Sequence, residues 1–268
     1  MSLTTRPIGA PSGATAAPLL VCLLGSFRIV KAGAPVTVRS GGKTEQFLAA
    51  LALRPQDGVG RDELLGLVWP SSELILAAQS LNTLVHSVNR SLGDAMDGRP
   101  PVVRRDGRYY LNVDAGVAID VRAFDTAAET GDRLAREGDP RGAIQSYDGA
   151  VELYEGDLVI GSDVRQVLER ERLRARYLSV RARLADHHVA VGDYTAALMN
   201  ALDLLAHDPC REDAHRIAML CYVRRGERAQ AMRQYRVCRQ VLALEFDVTP
   251  EPETEALYEL IRLDPARV

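Results

Sequence analysis

One short motif occurs three times in this chain, and that repetition constrains the fold more than any other feature. Gly138-Asp139-x-x-Gly142-Ala143, Gly192-Asp193-x-x-Ala196-Ala197 and Gly226-Glu227-x-x-Gln230-Ala231 share a glycine, an acidic residue after it and an alanine four further on. The last two copies begin 34 residues apart, a period of stacked helix pairs. The first two begin 54 apart, a difference that the Glu155–Val164 segment and a longer helix absorb. In each copy the glycine turns the chain, and the alanine lets the second helix lie close to the first. Tyr147 and Tyr235 recur at one offset, with Ala201 in the middle copy. Asp-Pro pairs at 139–140, 208–209 and 264–265 mark helix boundaries. Repeats of this kind bury one continuous core and present a groove to a partner.

The first half follows another pattern. Leu19 to Leu24, Phe27 to Lys31 and Val36-Thr37-Val38 are short apolar runs parted by Gly25-Ser26 and Gly33-Ala34-Pro35, a small antiparallel meander. Lys43 to Leu53 has helical spacing and stops at Pro55 and Gly58; Asp62 to Val68 is a second helix, closed by Trp69-Pro70. In the third, Leu81, Leu84, Val85, Val88 and Leu92 share one face. The opposite face carries Gln79, Thr83, His86 and Arg90, flanked by Asn82 and Ser87, side chains that can hydrogen-bond base edges or phosphates. Gly93, tolerant of the left-handed conformation, is expected to stop this helix. Val102 to Leu111 then reads as two strands around an Asp106-Gly107 turn, with Arg104, Arg105 and Arg108 at or beside the tip.

A chain of 268 residues has room for two domains or three. Its net charge of −3 divides into +2 over residues 1–120 and −5 over the rest, so any nucleic-acid site must be local. No apolar run has the length that spans a bilayer. Residues 1–18 are polar and rich in Pro, Gly, Ala and Thr, a flexible lead rather than a secretory signal, so the expected compartment is the cytoplasm. Cys22, Cys210, Cys221 and Cys238 are scattered and read as small buried apolar residues, neither a disulfide framework nor a zinc site. Gly41-Gly42-Lys43-Thr44 lacks the earlier glycine of a phosphate loop, and no Ser/His/Asp set or carboxylate pair is recognisable. The expectation is a non-enzyme with no cofactor and no metal. His187 and His188 are neighbours on a helix and point apart. Arg170, Arg172, Arg174, Arg176, Arg181 and Arg183 interleave with Glu169, Glu171 and Asp186, the pattern of a solvated or ion-paired face.

Leu23-Leu24-Gly25-Ser26-Phe27, Gly42-Lys43, Arg61-Asp62-Glu63-Leu64-Leu65, Val68-Trp69-Pro70, the third-helix set with Arg90 and Gly93, and Gly107-Arg108-Tyr109-Tyr110-Leu111 occur in a telling order. In that order the first half resembles the winged-helix DNA-binding domain of OmpR/PhoB-type regulators, in particular the SARP-type antibiotic regulatory proteins. Asp120-Val121-x-x-Phe124, Glu169 to Arg174, and Leu244-Glu245-Phe246-x-Val248-x-Pro250-x-Pro252-Glu253 likewise resemble the bacterial transcriptional activator domain, a helical unit of tetratricopeptide (TPR) type.

The resemblance implies a mainly α protein: a winged helix (α+β) over residues 19–113, then an all-α TPR-like domain over 114–268. It implies a sequence-specific activator that binds tandem repeats in double-stranded promoter DNA, side by side as a homo-oligomer, and recruits RNA polymerase. Gln79, Asn82, Thr83, His86, Arg90, Arg104, Arg105 and Arg108 would be the DNA-binding residues. The Trp69–Leu76 region would face the polymerase, with Trp69 packed beneath and Ser71-Ser72-Glu73 exposed. The chain departs from its family where many members carry two or three arginines late in the third helix. Here Val88-Asn89-Arg90 stands instead, and fewer cations release fewer counterions and bind more weakly. An alternative therefore stays open: a non-enzymatic protein-interaction or effector-sensing module, its winged helix no longer specific for DNA and a small effector in the helical groove.

Overall fold

The computed structural model describes residues 17–37, 41–71, 74–158 and 164–268, the side chains of Leu74 and Arg165 excepted. The expectations for the lead up to residue 16, for Val38, and for Ser72 and Glu73 lie outside the described residues. By its contacts the chain divides into two units, residues 1–129 with 152–173 and residues 130–151 with 174–268.

In the first unit, β1 (Leu19–Cys22), β2 (Arg28–Lys31) and β3 (Ala34–Val36) form the expected antiparallel meander, Leu19 facing Lys31 and Ile29 facing Val36. The second turn, however, is the left-handed pair Ala32-Gly33, so Ala34 and Pro35 belong to the third strand and Thr37 lies beyond it. A strand that periodicity did not disclose, β7 (Val117–Ile119), pairs in parallel with the free side of β1, giving the order β3-β2-β1-β7. Just after it, the buried Asp120 carboxylate accepts hydrogen bonds from the backbone N–H groups of Leu23 and Leu24 at 2.7 and 2.8 Å, and from Val121 at 2.7 Å. Burial pushes this carboxyl up to about 6, against those three bonds, which favour the ionised form.

α1 (Lys43–Ala52) buries Phe47, Leu48 and Leu51, and Glu45 accepts the Gly41 N–H at 2.7 Å ahead of its first turn. β4 (Val59–Gly60), α2 (Arg61–Val68), α3 (Leu74–Leu92), β5 (Val102–Arg105) and β6 (Arg108–Leu111) follow. α1 packs on α2 and β6, and α2 on α3. The hairpin is completed into a sheet of order β4-β6-β5. Asp106 and Gly107 both lie at positive φ, 50° and 77°, as the type I′ turn demands of its two central residues.

α3 ends at Leu92, just before the expected glycine, but not through a left-handed Gly93. Gly93 opens a 3-10 turn, Gly93–Met96, and the left-handed residues are Asp97 and Gly98. The extra turn puts Met96 into the core, and the Gly98 N–H closes it on the Gly93 carbonyl at 3.0 Å. Gly93 does not take a positive φ, and a Cβ on it would stand 3.4 Å from the Arg99 carbonyl oxygen, an ordinary contact, so neither handedness nor space demands a glycine there.

α4 (Asp120–Glu137), α5 (Pro140–Leu153) and α6 (Val164–Ala190) run across the division between the units; α7 (Tyr194–His207), α8 (Glu212–Arg224), α9 (Arg228–Phe246) and α10 (Pro252–Leu263) lie in the second. There α7 packs on α8, α8 on α9 and α9 on α10. The three motif copies adopt one conformation: Gly138, Gly192 and Gly226 have φ of 81°, 78° and 79°. Each glycine N–H bonds the carbonyl three residues back, and the next N–H bonds the carbonyl five back, at 2.9, 2.9 and 2.7 Å. That is the Schellman pairing, which satisfies the last carbonyls of a helix. Asp139 and Asp193 then cap the following helix, each accepting an N–H at 3.0 Å, whereas Glu227 makes no such bond. Ala143, Ala197 and Ala231 are buried, as close helix packing requires. Of the cysteines, Cys22, Cys221 and Cys238 are buried, but Cys210 is only half-buried because it sits in the turn after Asp208-Pro209.

Candidate nucleic-acid interface

α3 turns its apolar side inward, with Leu81, Val88 and Leu92 buried and Leu84 and Val85 half-buried. Gln79, Asn82, Thr83, His86 and Arg90 are all exposed. The Thr83 hydroxyl donates to the Gln79 carbonyl at 3.0 Å, which leaves it an acceptor toward any outside partner. Arg90 has no ion pair among the described residues. Ile75 and Leu76, 74% and 57% exposed, extend the same outward face toward the helix N-terminus. Stepping back four and three residues from Gln79 along the sequence would have found them.

The three wing arginines are not equivalent. Arg104 is exposed, its guanidinium 5.6 Å from the Tyr109 ring centre, and Arg105 is exposed with a loose partner, Asp114, at 3.3 Å. Arg108 is half-buried and turned to the backbone: its Nε donates to the Asp57 carbonyl at 2.6 Å and its Nη2 to the Gly58 carbonyl at 2.9 Å. It fastens the root of the wing to the turn before β4. Gly58 takes φ of 61° there, and a Cβ on it would strike the Tyr110 ring at 2.5 Å.

Two residues that set the position of α3 carry no local signal in the sequence. The Asn89 side chain accepts the Val102 N–H at 2.8 Å and donates to the Val102 carbonyl at 3.0 Å. Lys31, on β2, donates to the Ser91 carbonyl at 2.9 Å and pairs with Asp94 at 2.5 Å, a cation at the carbonyl end of a helix. The hydrogen bond from Lys31 holds the Asp94 carboxyl below its ordinary range. Trp69 is buried, as expected, with the Lys43 ammonium 5.0 Å from its ring. No group of three or more His, Cys, Asp or Glu among the described residues is placed to hold a metal, and no helix there is long and apolar enough to cross a membrane.

Three helices between a β meander and an arginine-bearing hairpin, followed in the chain by helix pairs on a repeated turn, define a winged-helix regulator with a TPR-like domain. Residues 119–262 match the bacterial transcriptional activator domain, and the chain belongs to that family as a transcriptional regulator of SARP type. It is 28% identical over 225 residues to the transcriptional regulatory protein MoaR1 of Mycobacterium tuberculosis, spanning 82% of this chain and 71% of that one. It is 27% identical to the regulatory protein DnrI of Streptomyces peucetius, over 83% of this chain and 85% of DnrI. Against AfsR of Streptomyces coelicolor the identity is 25%, over 86% of this chain but 23% of the larger protein. Among solved structures, Mycobacterium tuberculosis EmbR in complex with a low-affinity phosphopeptide shares the fold, with a TM-score of 0.68 at 22% identity, over 94% of this chain and 68% of EmbR.

Proposed function

We propose that this protein is a sequence-specific DNA-binding activator, with residues 19–113 as its DNA-binding domain and 114–268 as its activator domain. The observation that carries this reading is the outward strip of α3, where Gln79, Asn82, Thr83, His86 and Arg90 are exposed together and Arg90 has no acid to neutralise it among the described residues. In a major groove, Gln79 and Asn82 suit adenine edges and Arg90 suits guanine or a phosphate. Arg104 and Arg105 follow the backbone beside it. Arg108 contributes by holding the wing. So few cations give modest affinity per copy, and side-by-side binding of several copies to tandem promoter repeats raises it. The exposed Ile75 and Leu76 support a contact with RNA polymerase through the segment that precedes and opens α3. Such an activator works in the cytoplasm, where promoter DNA and polymerase are.

The test is a salt titration of binding to a duplex from upstream of the protein's own coding sequence and to a mixed-sequence duplex. Tighter binding to the first at every salt concentration is the expected result. If the two duplexes are bound alike, the DNA reading falls. The protein is then an interaction module, and its helical groove is the place to look for a small effector.

A further inference from the structure

In a two-residue type I′ hairpin the closing pair, here Arg105 and Arg108, exchanges hydrogen bonds, and the pattern alternates away from the turn. Val103 therefore bonds across to Tyr110, while Val102 and Arg104 direct their N–H and C=O groups away from β6. β5 is an edge strand, so nothing in the sheet meets those groups. At Val102 the Asn89 side chain meets both, as a neighbouring strand would. Asn89 directly precedes Arg90 on α3, and Val102 stands two residues before Arg104 on the wing.

We infer that Asn89 is a positioning residue for DNA binding, a two-way amide clamp that fixes the wing against α3 so that Arg90 and Arg104 reach the same duplex. This rests on the DNA-binding reading above. The clamp joins a helix in one groove to a strand that tracks the backbone beside it, and no other hydrogen bond between α3 and β5 is present among the described residues. A leucine at this position keeps the branched shape, with a somewhat larger volume, and removes both bonds. An aspartate keeps the acceptor for the Val102 N–H but sets a carboxylate against the Val102 carbonyl, so it breaks the clamp by half.

The experiment uses the full chain with Asn89→Leu, Asn89→Asp and Arg104→Ala, alone and with Arg104→Ala added to each, binding the upstream and the mixed-sequence duplexes over a range of salt. Asn89→Leu should weaken binding about tenfold, the worth of the one charge-assisted phosphate contact that the clamp positions, since the two hydrogen bonds are lost from the free and bound protein alike. Its salt slope should fall by about one unit, as for Arg104→Ala, because the wing cation no longer reaches its phosphate. Adding Arg104→Ala to Asn89→Leu should cost little more. A residue that only stabilised the fold would lower the unfolding temperature and leave the slope unchanged, with Arg104→Ala additive. That outcome overturns the proposal, as does the unfolding of both Asn89 variants. Failure of the wild type to bind either duplex would instead remove the DNA-binding reading on which the proposal stands.

Discussion

Arginines gather in two regions of this chain, and only one of them leaves the charges open. Along α6, Arg172 is held by Asp125 and Glu169, each at 2.7 Å, Arg176 by Asp132 at 2.6 Å and Arg181 by Asp203 at 3.0 Å. Arg183 stands 3.5 Å from Asp132, and Arg174 donates to the His207 carbonyl at 2.6 Å. On α3 and the wing, Arg90 and Arg104 meet no acidic side chain among the described residues. The denser cluster is thus the neutralised one. Arginine density marks an anion site poorly; what matters is whether the fold has already supplied each guanidinium with a counter-charge.

The sharpest way to break this contrast is to remove a counter-charge from the helical repeats. Asp132 accepts the Tyr147 hydroxyl at 2.8 Å as well as Arg176, so Asp132→Ala should cost about 3 kcal/mol in denaturant unfolding. Binding to DNA should not change while the protein stays folded. Burial alone would raise the Asp132 carboxyl, but Tyr147, Arg176 and Arg183 bring it below its ordinary range. With the folded value below the unfolded one, this stabilisation is present above the usual carboxylate range and is lost as pH falls from that range through the lower folded value. The variant should therefore lose less stability on acidification than the wild type does.

Arg90→Ala is the converse change. It should alter stability by no more than ~0.5 kcal/mol and cost ~1–3 kcal/mol of binding to the upstream duplex, with little loss on mixed sequence. Arg104→Ala should weaken both duplexes alike and lower the salt slope by about one unit, so low salt should restore it. The smallest effect is expected from Arg172→Gln. Its bridges are half-exposed, so unfolding should shift by about 0.5 kcal/mol and the salt slope should not move. A change in slope there would mean that α6 also faces DNA.

What was legible in the sequence was what neighbouring residues decide. The Asp106-Gly107 turn, the three Gly-acid turns and the apolar stripe of α3 are set within a few residues, and each is found where spacing put it. β4 and β7 were not legible. Two or three residues show no periodicity, and their partners β6 and β1 lie far away in the chain. The same holds at the candidate interface. Helical spacing alone marks Gln79, Thr83, His86 and Arg90 as outward. Arg108 beside Arg104 gives no sign that it serves the Asp57 and Gly58 carbonyls, and Asn89 gives none that it serves Val102. Each of those roles depends on a partner brought in by the tertiary fold.

The pairing of β1 with β7 also sets an order of events. Leu23 and the Asp120 carboxylate that binds its N–H lie 97 residues apart. As the chain is synthesised, β1 emerges early with one edge unpaired and stays so until β7 and Asp120 follow it, while α1, α2, α3 and the wing find most of their partners nearby. Closing so long a loop is slow, and an open strand edge invites pairing with other chains in the meantime. The first sheet to be made is thus completed only after the helices and the wing that follow it in the chain, and a chain that stops short of Ile119 would carry that open edge permanently.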